Sequence, residues 1–85
     1  MDTSEIVVQL KPIISKYLPD DLSVDDITAE KNLLTDLRIN SAYLIDIIIA
    51  IEDTFDIKIE DSELPNMNTV QESIDIISAK ISERD

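Results

Sequence analysis

Apolar residues recur along this chain at intervals of three and four, and that spacing predicts helices in place of strands. Ile6, Leu10, Ile13, Ile14 and Tyr17 share one helical face, so a first amphipathic helix is expected from about Thr3 to Tyr17. Pro12 falls inside it. A proline there removes an amide donor and crowds the carbonyl of Val8, so the helix either kinks or breaks and restarts with Pro12 near its first position. From Leu18 to Asn40 the pattern lapses into an acidic, irregular stretch that opens with a turn at Pro19-Asp20-Asp21. Val24, Ile27, Leu33, Leu34 and Leu37 are spaced to anchor this long loop on the core, with Leu33 to Leu37 suited to one helical turn. Loops of such length in compact domains are commonly functional.

Asn40 and Ser41 then supply side-chain oxygens able to accept the first amides of a second helix, which runs without a breaker from Ala42 to Phe55. Its isoleucines would also suit a buried strand, but the length of the run and the polar positions Asp46, Glu52 and Asp53 favour a helix. Asp61-Ser62-Glu63-Leu64 is enough for a short third helix that Pro65 ends. Thr69-Val70-Gln71-Glu72 has the form of a capping box, and Val70, Ile74, Ile77 and Ile81 mark the inner stripe of a last helix from about Thr69 to Ile81. The expected fold class is therefore all-α. Three main helices and one short helix, with a long loop between the first two, make a single domain spanning residues 1–85.

Composition removes most chemistry. The 85 residues include no Cys and no His, hence no thiol nucleophile, no imidazole base, no disulfide and no nitrogen or sulfur side-chain ligand for a metal. The absence of Gly excludes glycine-rich phosphate loops. Nineteen acids against seven bases give a net charge of −12, which repels nucleic acid and anionic membrane surfaces and attracts basic protein surfaces. The first residues lack the basic start of a secretory signal, so the expected compartment is the cytoplasm; the expected state is a monomer. Acids crowd Asp20 to Asp26 and Asp56 to Glu63, but neither run has the spacing or the glycine of a calcium loop, so no specific metal site is expected. Adjacent carboxylates such as Glu52 and Asp53 have no partner base, which makes an enzyme the least favoured reading.

One motif stands apart: Asp36-Leu37-Arg38-Ile39-Asn40-Ser41 delivers a serine to the start of the second helix. Here the chain resembles the acyl carrier proteins, whose D-L-G-x-D-S-L type motif carries the serine that receives a 4'-phosphopantetheine arm from coenzyme A. The resemblance continues without a gap through Ala50-Ile51-Glu52-Asp53, Phe55, Ile57-Lys58-Ile59, Thr69-Val70-Gln71 and Ile74-Asp75-Ile76-Ile77, and so covers nearly the whole chain. It implies an acyl-carrier-like helical bundle and a non-catalytic carrier, with acyl intermediates held as thioesters on an arm attached to Ser41. The implied partners are a phosphopantetheinyl transferase and the acyl-transferring, condensing or modifying enzymes of fatty-acid, lipid or specialised biosynthesis.

Physical chemistry supports the position. A phosphodiester on Ser41 would lie at a helix N-terminus, where free amides and the helix dipole favour an anion. A chain without cysteine also needs a cofactor thiol to form thioesters. The remaining serines have no comparable context and read as caps or solvated surface. If Ile47, Ile51 and Phe55 face inward, Ala42, Ile45, Asp46, Ile49 and Asp53 turn outward, and the expected partner surface takes these with Tyr43 and Glu52, together with Arg38 and Asn40 beside the serine. Relative to the family pattern, Arg38 replaces a usual Gly, Asn40 an Asp, Ala42 a Leu and Tyr43 a common acidic residue, which points to a specialised carrier. Two alternatives stay open: a carrier of aminoacyl or peptidyl cargo, and an unmodified acidic helical adaptor that kept the fold and lost the arm.

Overall fold

The computed structural model describes residues 2–84. Three long α-helices account for most of it: α1 (Thr3–Ser15), α2 (Ser41–Phe55) and α3 (Val70–Arg84). Two short 3₁₀ helices lie between them, at Val24–Asp26 and Asp61–Asn66. The expected all-α bundle is thus observed.

Asp2 starts α1, its Oδ1 accepting the Glu5 amide at 2.9 Å, and Ile6, Leu10, Ile13 and Ile14 form the buried stripe. The helix runs through Pro12 and neither ends nor restarts there. Val8, whose carbonyl loses its amide partner to the proline ring, is 71% exposed, so water can serve that oxygen at little cost. The helix closes at Ser15, two residues before the expected Tyr17, because its last turn tightens: the Tyr17 amide bonds the Ile14 carbonyl at 3.0 Å.

The loop that follows is fastened at several points. Ile27, Leu33, Leu37 and Ile39 are buried, but Val24 and Leu34, expected as anchors, are 43% and 42% exposed. The turn that buries Leu33 and Leu37 on its inner side leaves Leu34, one position along, outside. At Val24 the 3₁₀ turn closes through the Ile27 amide on the Val24 carbonyl at 3.1 Å, bringing Ile27 inward in its place. The helical turn expected at Leu33 to Leu37 is instead a turn organised by Asn32. Asn32 Oδ1 accepts the Leu34 and Thr35 amides, its carbonyl accepts those of Asp36 and Leu37, and Asp36 Oδ2 returns to the Asn32 amide at 2.8 Å.

The same loop completes the start of α3. Thr69 and Glu72 form the predicted capping box, with Glu72 N to Thr69 Oγ1 at 3.1 Å and Thr69 N to Glu72 Oε1 at 2.9 Å. The next two amides of α3 find loop carbonyls: Val70 N to Lys31 O at 3.0 Å and Gln71 N to Ala29 O at 2.9 Å. Leu33 N adds a bond to Asn68 O at 2.8 Å beside an isolated antiparallel bridge between Asn32 and Thr69. The helix continues to Arg84, past the expected Ile81.

The short helix at Asp61–Asn66 contains Pro65 and does not end before it, since the fixed proline φ suits a 3₁₀ turn. Glu63 within it is ion-paired with Lys80 of α3 at 2.8 Å. Among the described residues no helix is long and apolar enough to cross a membrane.

Two substitutions test this account by urea denaturation. Ile77→Ala, at a side chain with no exposure, should cost about 2–5 kcal/mol. Thr69→Ala should cost about 1 kcal/mol with an unchanged m-value.

Candidate functional site: the serine at the start of the second long helix

Asn40 is the N-cap of α2. Its backbone is extended (φ −73°, ψ 163°), its Oδ1 accepts the Tyr43 amide at 2.9 Å, and its carbonyl accepts the Leu44 amide at 3.0 Å. Ser41 is consequently the first helical residue and has no capping duty, where the sequence suggested that both side chains would cap a helix opening at Ala42. Ser41 is exposed, and among the described residues its hydroxyl has no hydrogen-bond partner. The amides of Ser41 and Ala42 precede the first intrahelical bond and sit at the positive end of the helix dipole.

Buried Leu37 and Ile39 hold the approach to this point, with Arg38 between them turned outward. Arg38 has φ 55°, the left-handed region that glycine occupies without a Cβ penalty. Glycine is the usual residue there in the family this chain resembles, and the backbone shows why. The Arg38 side chain crosses the loop to Asp21, Nη2 to Oδ2 at 2.5 Å, and this hydrogen bond holds the Asp21 carboxyl below its ordinary value of 3.8. Beyond Ser41, the Tyr43 ring packs on Tyr17 with centroids 5.3 Å apart and planes at 45°. Neither Tyr17 nor Asp21 carried a sequence signal for this site, since each meets its partner across a loop with no periodicity.

Along α2, Ile47, Ile48, Ile51 and Phe55 face the core. Ala42, Ile45, Asp46, Ile49 and Asp53 are exposed, as the spacing predicts, and Tyr43 is exposed beside them. Ile45 and Ile49, 47% and 51% exposed, form an apolar stripe one turn apart between carboxylates. Glu52 differs from the others: it is half-buried, and its Oε2 accepts the Ile59 amide at 2.9 Å, so its carboxylate is engaged in fastening the chain after α2. No group of metal-ligating side chains occurs among the described residues. A cleft of about 540 Å³ lined by Asp56, Ile57, Lys58, Glu60, Lys80 and Glu83 lies at the far end of α2, about 20 Å along the helix from Ser41.

Residues 9–77 match a family described as a phosphopantetheine attachment site. The chain belongs to this carrier family. An acyl carrier protein of Buchnera aphidicola subsp. Schizaphis graminum (strain Sg) is 42% identical over 72 residues, covering 85% of this chain and 89% of the relative. Acyl carrier proteins of Guillardia theta and Thermosynechococcus vestitus (strain NIES-2133 / IAM M-273 / BP-1) are 32% and 33% identical over 82 and 84 residues, each covering 96% of this chain and 99% of the relative. Its role is therefore to carry acyl groups on phosphopantetheine for partner enzymes, without catalysing their chemistry. When bound, phosphopantetheine supplies the thiol that the chain lacks.

Asn40→Ala should lower stability by about 1 kcal/mol in a thermal or urea melt, the cost of an N-cap. Because the folded Asp21 pKa is depressed, its ion pair persists as the pH falls through 3.8 and is lost only as the pH passes below the folded value. In Arg38→Gln, the Asp21 carboxyl followed by NMR should return to its ordinary range.

Proposed function

We propose that Ser41 is the attachment point of the phosphopantetheine arm, and that residues 1–85 form one carrier domain. The observation that carries the proposal is the division of labour at the start of α2. Asn40 caps the helix, which leaves an exposed serine hydroxyl beside two amides outside the intrahelical ladder. The residues present fit a phosphodiester: Ser41 offers the oxygen to be esterified, and the amides of Ser41 and Ala42 favour the negative charge. An exposed position also leaves room for the arm to reach partner sites.

The exposed face of α2, with Ala42, Tyr43, Ile45, Asp46, Ile49 and Asp53, and with Arg38 and Asn40 beside Ser41, meets the phosphopantetheinyl transferase and acyl-handling enzymes with basic surfaces. The helix contributes carboxylates and no basic residue, so partner grooves combine cations with apolar lining. The acyl groups belong to fatty-acid or related lipid synthesis in the cytoplasm. Asn40 and Ala42 lack the charge and bulk usual at those positions, a difference that suits a carrier served by dedicated partners. Burying a full leucine side chain contributes about 1.5–3 kcal/mol, and alanine forgoes most of it.

Incubation with coenzyme A and a broad-specificity transferase should add one phosphopantetheine per chain, mapped by fragment mass to Ser41 and absent from Ser41→Ala. An unmodified chain beside a modified control carrier would instead favour a dedicated transferase or the acidic adaptor. Asn40→Asp with Ala42→Leu should raise the rate with a housekeeping transferase; an equal rate would remove the basis for specialisation. Association with partner enzymes should slow as salt rises, and the dependence should weaken in Asp46→Asn/Asp53→Asn.

A further inference from the structure

Two contacts carry the segment after α1 across the loop to residues on either side of Ser41. Tyr17 packs on Tyr43, and Asp21 pairs with Arg38. The near residues are four apart in sequence, the far ones five apart, and Ser41 lies between the far pair. A segment that touches both 38 and 43 must run alongside the serine.

The backbones that bear these side chains are fixed by other means. Arg38 sits between two buried residues, the Tyr43 amide is held by Asn40, the Tyr17 amide by the Ile14 carbonyl, and the turn holding Asp21 is closed by Leu22 N on Pro19 O at 3.0 Å. The contacts thus join groups already in place and need little further ordering. Stability of the core does not call for them: Tyr43 is 46% exposed, and the Arg38 and Asp21 side chains are 53% and 68% exposed. A left-handed arginine adds a backbone cost that a glycine would avoid.

We propose that Tyr17, Asp21, Arg38 and Tyr43 form a brace that positions Ser41 and makes the 17–21 segment part of the surface a phosphopantetheinyl transferase reads. This rests on Ser41 as the attachment point. None of the four touches the reacting atoms; they act as positioning residues, limiting the residual motion of the locally placed backbone on both sides of the serine and setting the outline around it.

The test compares wild type with Tyr17→Ala, Tyr43→Ala, their double variant, Tyr17→Phe, Tyr43→Phe and Asp21→Asn, each verified as folded by circular dichroism. Initial rates of transfer from coenzyme A are measured against carrier concentration, alongside amide hydrogen exchange at residues 38–43 of the unmodified proteins. Tyr17→Ala and Tyr43→Ala should each raise the KM for the carrier about three- to tenfold, the range an aromatic pair supports, with kcat nearly unchanged and faster exchange at 38–43. Asp21→Asn should move KM in the same direction. The double variant should be little worse than either single one, and both Phe variants should match wild type.

Tyr17→Ala with wild-type KM and exchange overturns the brace alone, as does a double variant whose effect is the product of the two singles. A wild-type chain that takes the group at a residue other than Ser41 overturns the attachment assignment, and this proposal with it.

Discussion

The structure depends on how the loop between α1 and α2 is fastened to the start of α3. A helix N-terminus presents amides with no partner in its own helix, and here Val70 and Gln71 give theirs to the carbonyls of Lys31 and Ala29. Leu33 N on Asn68 O closes the arrangement from the other side. An otherwise irregular stretch is thereby held where Leu33, Leu37 and Ile39 can enter the core. That placement fixes where α2 begins, and Ser41 stands at its first position.

The site shows how one side-chain amide can change the use of its neighbour. With Asn40 Oδ1 on the Tyr43 amide, the next residue is released from the work a serine at a helix start often performs. A hydroxyl that is both exposed and unengaged is chemically available, and the adjoining amides suit an anionic ester. The surrounding α2 surface combines an apolar stripe with carboxylates, the combination on which the proposed docking of partner enzymes rests.

Helix existence and the buried faces were legible because they rest on spacing. Ile47, Ile51 and Phe55 face inward and Ile45, Asp46, Ile49 and Asp53 outward, as a helical period requires. The Thr69–Glu72 capping box was equally plain, being a local bond pattern. What escaped was set by contacts distant in sequence. Val24 and Leu34 have the composition of anchors, yet loop geometry directs them outward. Glu52 sits where an exposed acid is expected, but the chain returning after α2 brings the Ile59 amide to it. The place of Ser41 at the start of α2 was legible through its motif; the contacts that Tyr17 and Asp21 make beside it were not, because no local pattern announces a contact made across a loop.

Twelve of the eighteen buried apolar residues among those described are isoleucine. Branching at Cβ leaves such side chains with few χ1 states in a helix, so the interior has little rotamer freedom with which to make room. An apolar guest entering between α1, α2 and α3 would have to move helices apart. That separation would cost part of the close packing that holds the chain folded, and burial of the guest would have to offset it.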